Sequence, residues 1–278
     1  MGIQLASLEK RLTAFYEGEG ISVCPSFEQF GCKSKSSCIQ EVRSSERNAD
    51  TSLYCGSEAY VGSKYGDPFK VLFVSLDRGD QGLNIAERRK EIEAVIYDPP
   101  KPRLDLYLSG ALETLGAILG RTSPDRNLFL NFALINAAKC ASTKEGMDSV
   151  PEQLFRNCIP NALGELRVLE PDVVVMHGKR SRIPLQNYLQ QIAPADVKHL
   201  EEVHGTSGAS KEIQALFATI LNEHMGSATI YDKSMICLMT PHPSSRSGEW
   251  RRFQRLLLTL AGRLCRDLVS FRGDKARK

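Results

Sequence analysis

Three residues stand where their types and surroundings allow chemistry. Asp77 directly follows the apolar run KVLFVSL (70–76), where a carboxylate can activate or electrostatically support an attacking water. Its plainer role is to cap the helix that follows. Asn136 ends the run NLFLNFALIN and offers a donor and an acceptor together, the pairing that reads a base edge. The plainer alternative is an amide that satisfies loop backbone groups. His242 lies between two prolines in TPHPSS (240–245), so its imidazole is presented with little freedom and, when neutral, can donate to an oxygen that gains negative charge. A structural loop histidine is the competing role. Ser244, Ser245 and the start of the next helix offer a phosphate its partners.

Eight cysteines form a second set. Cys24, Cys32, Cys38 and Cys55 fall within residues 20–69, which show no sustained apolar period, so order there is expected to come from a metal cluster. Cys140 and Cys158 flank a polar connection, while Cys237 and Cys265 sit in an apolar strand and a helix and read as core thiols.

These residues need a scaffold, and the apolar pattern supplies one. Continuous runs at 70–76, 127–138, 172–176 and 230–239 read as buried strands. Helices are expected over 1–18, 83–97, 104–119, 151–169, 181–192 and 210–224, with a further strand near 197–203. Alternation of strands and helices predicts an α/β fold, a three-layer αβα arrangement around a mainly parallel four-stranded sheet. Ligands in such sheets bind beyond the carboxyl ends of the strands, where residues 75–79, 136–140 and 240–246 converge.

The 278 residues are 42% hydrophobic and 25% charged, which fits one folded domain spanning 1–278 and excludes a disordered chain. No apolar run approaches the roughly 20 residues that cross a bilayer, so no membrane span is expected. The first helix mixes acidic and basic residues, unlike a secretory leader, and a cytoplasmic monomer is the expectation. Net charge is only +3, but residues 246–278 carry ten Lys or Arg against three Asp or Glu, leaving −4 for the remainder. This basic C-terminal helix and tail, including Arg246 and Arg251, suits phosphate contact; a solvated helix face is its other reading. His177, His199, His204 and His224 receive no role.

In order and spacing, VLFVSLDRG (71–79), LYLSGALETLGAILG (106–120), LINAAKC (134–140), LFRNCIPNALGELRVLEPDVVVMHG (154–178) and TPHPSS (240–245) resemble the iron-sulfur members of the uracil-DNA glycosylase superfamily. The resemblance covers roughly residues 60–260 and rests on the NxxxC, NCxP and HPS pieces together. It implies a base-flipping enzyme that hydrolyses the bond between a pyrimidine and deoxyribose. Asp77 would serve the sugar and water, Asn136 would read the base, His242 would stabilise the departing pyrimidine and Tyr107 would stack on it. Cys140 and Cys158 resemble two ligands of a structural four-iron four-sulfur cluster, with Cys55 and Cys38 completing the set and Cys32 and Cys24 close behind; zinc is the alternative.

The chain also departs from the family. It has no CxxC before the first strand. Gly79 replaces the tyrosine that excludes thymine in the GQDPY branch, Leu76 replaces the glutamate of the iron-sulfur branch, and 27 positions separate Gly79 from Tyr107, a longer interval than the family's. Extra wall beside an open C5 position implies a pyrimidine with a bulky C5 substituent. The glucosylated hydroxymethylcytosine of some phage DNA, removed in defence, is the expectation. Uracil repair is the main alternative, and a non-catalytic metal-cluster DNA-binding module, favoured by Leu76 and Arg78, is the second.

Overall fold

The computed structural model describes residues 2–24, 26–44, 53–76, 82–97, 104–142, 151–245 and 247–276. In chain order the elements are α1 (Gly2–Glu19), α2 (Lys35–Ser44), β1 (Leu53–Cys55), β2 (Tyr60–Val61), β3 (Val71–Ser75), α3 (Ile85–Tyr97), α4 (Leu106–Leu119), β4 (Phe132–Asn136), β5 (Cys140–Ser142), α5 (Glu152–Asn157), α6 (Ile159–Leu169), β6 (Val173–His177), α7 (Pro194–His204), α8 (Lys211–Thr219), β7 (Met225–Ile230), β8 (Lys233–Thr240), α9 (Glu249–Leu256) and α10 (Leu258–Ala276).

The main sheet runs β2-β4-β3-β6-β8-β7. Its four inner strands are mutually parallel, and β2 and β7 are antiparallel edges. The expected four-stranded sheet is therefore corrected to a mixed one of six strands. The edges escape sequence reading for physical reasons. Strand β2 is two residues long, and β7 reaches β8 through Tyr231 and Asp232, whose φ values of 48° and 64° occur where Gly or Asn would ordinarily mark a hairpin.

Inner strands with both faces covered must be apolar on both sides, which is why VLFV, FALI and VVVM carry no alternation. Leu72, Val74, Ile135, Val174 and Met176 pack with α1, α2, α5 and α6 on one face. Phe73, Phe132, Val175 and Leu238 pack with α4, α9 and α10 on the other.

Three other expectations change. Residues 197–203 lie in helix α7, started by Pro194 and ended by Gly205 at φ 59°, because Val197, Leu200 and Val203 repeat at helical spacing. The expected helix over 181–192 is a 3₁₀ segment, Arg180–Leu185, with Pro184 inside it. The expected helix over 151–169 divides at Cys158, before Pro160, into α5 and α6.

Between the sheet and α1 lies a buried polar network. Lys139 Nζ is 2.7 Å from Glu165 Oε1, with the two side chains 2% and 0% exposed. The Tyr16 hydroxyl donates to the same oxygen at 2.5 Å and accepts the Ala59 amide at 2.8 Å. The Glu58 carboxylate accepts the Val23 and Ile85 amides, and Arg88 donates to the Glu58 carbonyl oxygen. Helices α1, α3 and α6 are thereby tied to the segment that follows β4. Removing one partner of a buried pair strands the other charge and costs about 3–5 kcal/mol. Glu165→Leu should lower the unfolding free energy by about that amount in urea titration, and adding Lys139→Met should restore most of it.

Candidate functional site

Each inner strand ends in a polar residue: Ser75 in β3, Asn136 in β4, His177 in β6 and Thr240 in β8. Register aligns them. Ser75 is opposite Asn136, and His177 is opposite Thr240. Val74 pairs with Met176, so Ser75 and His177, one step on, are neighbours too. Two residues earlier on the same strands stand Phe73, Leu134, Val175 and Leu238, all in the core beneath α4, so the row Asn136-Ser75-His177-Thr240 shares that face.

Above this row sits Tyr107, in the first turn of α4, a helix whose start is fixed by Asp105 accepting the Leu108 amide at 2.7 Å. Its ring lies 5.6 Å from that of His177 and 5.7 Å from that of His242. Gly110, one turn further, lets the loop after β8 press against the helix, since a methyl group there would overlap the Pro243 ring. Gly178, at φ 87°, gives the same clearance below His242.

The two imidazoles differ in their hydrogen-bond neighbours. His242 Nδ1 accepts the Ser244 amide at 3.3 Å and lies 2.7 Å from the Ser244 hydroxyl, so the ring proton is on Nε2. Burial lowers the pKa of His242 and favours its neutral form. At His177 the neighbour is Thr240 Oγ1, 2.5 Å from Nδ1, and that hydroxyl also lies 3.1 Å from the Pro241 carbonyl. Turned to the carbonyl, it accepts from Nδ1–H and leaves a lone pair on Nε2; turned to Nδ1, it leaves the ring proton on Nε2. Burial, and then proximity to His242, depress the His177 pKa to about 3.

Among the described residues three polar atoms of this cluster are buried without a well-formed hydrogen bond: Asn136 Oδ1, His177 Nε2 and Tyr107 OH, the last lying close to the Ser75 side chain. The other end of the Asn136 amide is engaged, donating to the Leu76 carbonyl at 2.7 Å. Buried polar atoms are paired in the great majority of native structures, so three orphans at one sheet end mark a site that a ligand completes.

Of the residues singled out from the sequence, Tyr107 and His242 are ring neighbours, and Asn136 ends an inner strand in the row below them. Leu76 contributes its carbonyl, while its side chain packs into the core on the opposite face. Ser244 orients His242, and Ser245 bonds Ser247 instead of facing the row. Arg251 is exposed on α9, as are Arg252 and Arg255, with Trp250 and Phe253 buried on its inner side. Asp77, Gly79 and Arg246 lie outside the described residues. His177 was not expected here. Its signal in the sequence was the shared ending of the four strands, an apolar run closed by one polar residue.

A search of models of known protein families and of curated sequences finds no match.

The early cysteines separate into two groups. A hydrogen bond with Cys38, then burial, push the Cys140 thiol well up, and Cys158 and Cys32 are close enough to add to the shift. Cys158 is affected by Cys38 and Cys32 as well, and its sulfur accepts the Lys139 amide at 3.1 Å. Cys55, although opposite Cys140 in the β1–β5 ladder, has its sulfur 3.2 Å from that of Cys24. The structure thus groups Cys32 with Cys38, Cys140 and Cys158, where the expected set had Cys55. Among the described residues no three His, Cys, Asp or Glu side chains converge tightly enough to share one metal ion.

A histidine with a depressed folded-state pKa takes up its proton on unfolding. The stability it contributes is full above the ordinary value of 6.5 and is lost as the pH falls toward 3. The loss is about 1.4 kcal/mol per pH unit. His177→Leu should flatten the fall of unfolding free energy between about pH 6 and about pH 4, measured against the parent protein by denaturant titration.

Proposed function

We propose that this protein is a DNA glycosylase that extrudes a pyrimidine nucleotide and hydrolyses its N-glycosidic bond, leaving an abasic site. The observation that carries this reading is the set of buried, unpartnered polar atoms on Tyr107, Asn136 and His177 beside a neutral His242 with its proton on Nε2. A flat heterocycle with a donor and acceptor edge satisfies such a set, and Tyr107 supplies a face for it. The motif resemblance to the iron-sulfur uracil-DNA glycosylases, and a fold of that kind, agree with the parallel inner strands β4-β3-β6-β8.

In this reading a base extruded from the duplex meets the polar row at a cost of a few kcal/mol of stacking, offset by the contacts it makes there. As the bond lengthens the sugar becomes cationic and the base anionic. His242 Nε2–H then donates to the base oxygen that gains charge, and its neutrality beforehand means that no proton needs to be removed first. Asn136 reads the base edge. The exposed Arg251, Arg252 and Arg255, on the helix that follows the TPHPSS turn, contact DNA phosphates. Asp77 is assigned to the sugar and water by resemblance alone.

The thiols of Cys32, Cys38, Cys140 and Cys158 suit a four-iron four-sulfur cluster, whose ligands stand further apart than those of a single zinc ion. Such a cluster would tie α2, the segment after β4 and the start of α6 together. Protein purified without oxygen should contain iron and lose it on Cys38→Ser or Cys32→Ser, but retain it on Cys55→Ser. Zinc without iron would remove the cluster.

The substrate we propose is a cytosine with a bulky C5 substituent, such as the glucosylated hydroxymethylcytosine of phage DNA, removed in anti-phage defence. Mass spectrometry of bases released from modified phage DNA and from uracil-containing duplexes tests both levels. Release of the modified base should fall about a hundredfold or more in His242→Ala and in Asn136→Ala, with DNA binding retained. Uracil release alone would replace the substrate, and release of nothing from any DNA would end the glycosylase reading.

A further inference from the structure

We propose that His177 is a specificity-determining residue that accepts a hydrogen bond from the exocyclic amine of the extruded base, so that the site selects aminopyrimidines over their 4-oxo counterparts. This deepens the glycosylase reading and rests on it.

The Thr240 hydroxyl has the Pro241 carbonyl at 3.1 Å and His177 Nδ1 at 2.5 Å. In the state proposed its proton goes to the carbonyl, so that His177 Nδ1–H donates to Thr240 Oγ1 and Nε2 is an acceptor at the end of the ring far from the backbone. The His177 side chain is fully buried, and Nε2 has no partner. Phe73 at 5.3 Å, Tyr107 at 5.6 Å and Trp250 at 5.7 Å hold the ring, so Nε2 has little freedom to seek a partner elsewhere.

Asn136 Oδ1 is also a buried acceptor without a partner. Asn136 and His177 stand two strands apart with Ser75 between them. At about 4.8 Å per strand, their backbones are about 10 Å apart, and both side chains project from the same face of the sheet. In the state proposed, a single atom with two diverging N–H bonds satisfies both acceptors. The amine on C4 of cytosine is such an atom. Its second hydrogen meets His177, its first meets Asn136, and the free Asn136 N–H faces N3.

Uracil offers one N–H, at N3, and an acceptor oxygen at C4. That oxygen would meet the Nε2 lone pair, leaving a buried acceptor unpaired and two lone pairs opposed. Sites built to bond a substrate N–H or O–H reject analogues lacking it strongly, because the buried protein group is left without a partner.

The test compares duplexes containing β-glucosylated 5-hydroxymethylcytosine or β-glucosylated 5-hydroxymethyluracil, which differ only at C4. The parent protein should release the amino base at least about a hundredfold faster. His177→Leu should bring the ratio within about tenfold, mainly through loss on the amino base. Thr240→Val, which keeps the ring but removes the oxygen that fixes its tautomer, should give an intermediate ratio. Long-range nitrogen-15 NMR should show the His177 proton on Nδ1. Equal release of the two bases, an unchanged ratio in His177→Leu and Thr240→Val, or a His177 proton on Nε2 would each overturn the inference while base release itself keeps the glycosylase reading. Release from neither duplex nor any other DNA removes both.

Discussion

The ion pair between Lys139 and Glu165 is the constraint on which the site depends. A lysine with 2% of its side chain exposed cannot sit in a core without an opposite charge; Glu165 meets it directly, and Glu58 is close enough to feel its charge. The pair fixes the path of the chain after β4, because Lys139 lies three residues beyond Asn136 and directly before Cys140. Lys139 also accepts the Gly56 amide at its carbonyl and donates its own amide to Cys158. One residue thus sets the position of the Asn136 amide on one side and of two thiols on the other. An apolar pair of similar volume would fill the space, but it would not tie the cysteine-rich segment to the carboxyl end of the sheet.

Much of this was legible in the sequence. The runs VLFVS, FALIN and VVVMH identify themselves because a parallel strand covered on both faces admits no polar residue until its end. Asn136 was found for the same reason, as the polar residue where its run stops, and His242 by the two prolines that flank it. Edge strands are harder: β7 alternates weakly, and the Tyr231-Asp232 turn lacks the glycine that marks most hairpins. The grouping of cysteines was hidden because it depends on where residues 26–44 pack, not on spacing. The position of Cys55 shortly before the first inner strand favoured it over Cys32, but Cys55 turns its sulfur toward Cys24. His177 was passed over because a histidine before a glycine reads as a turn, and its neighbour across the sheet is 63 residues away in Thr240.

Two histidines 65 positions apart in the chain, His177 buried and His242 half-buried, have different hydrogen-bond neighbours. Ser244 offers His242 a backbone N–H, which can only donate, and so leaves the proton on Nε2. Thr240 offers His177 a hydroxyl, and in the proposed tautomer its proton goes to Pro241, so that His177 becomes an acceptor. Protonating either ring would erase the distinction. Burial prevents this by depressing both pKa values, and each ring would also resist the charge of the other. Fixed donors and acceptors that need no reorientation are what an electrostatically preorganised pocket requires.

The long interval between β3 and α4 fits the same logic. It contains α3, which is held at its start by Glu58 accepting the Ile85 amide and further along by Arg88 donating to the Glu58 carbonyl. Arg88 is buried, and burial lowers its pKa while Tyr16, Glu165 and Tyr107 counteract that. The guanidinium is therefore electrostatically connected both to the Lys139–Glu165 network and to the aromatic ring of the site. Helix α3 is thereby anchored in the interior rather than at the surface alone, and a group positioned from a packed, hydrogen-bonded element is held more precisely than one positioned from a free loop.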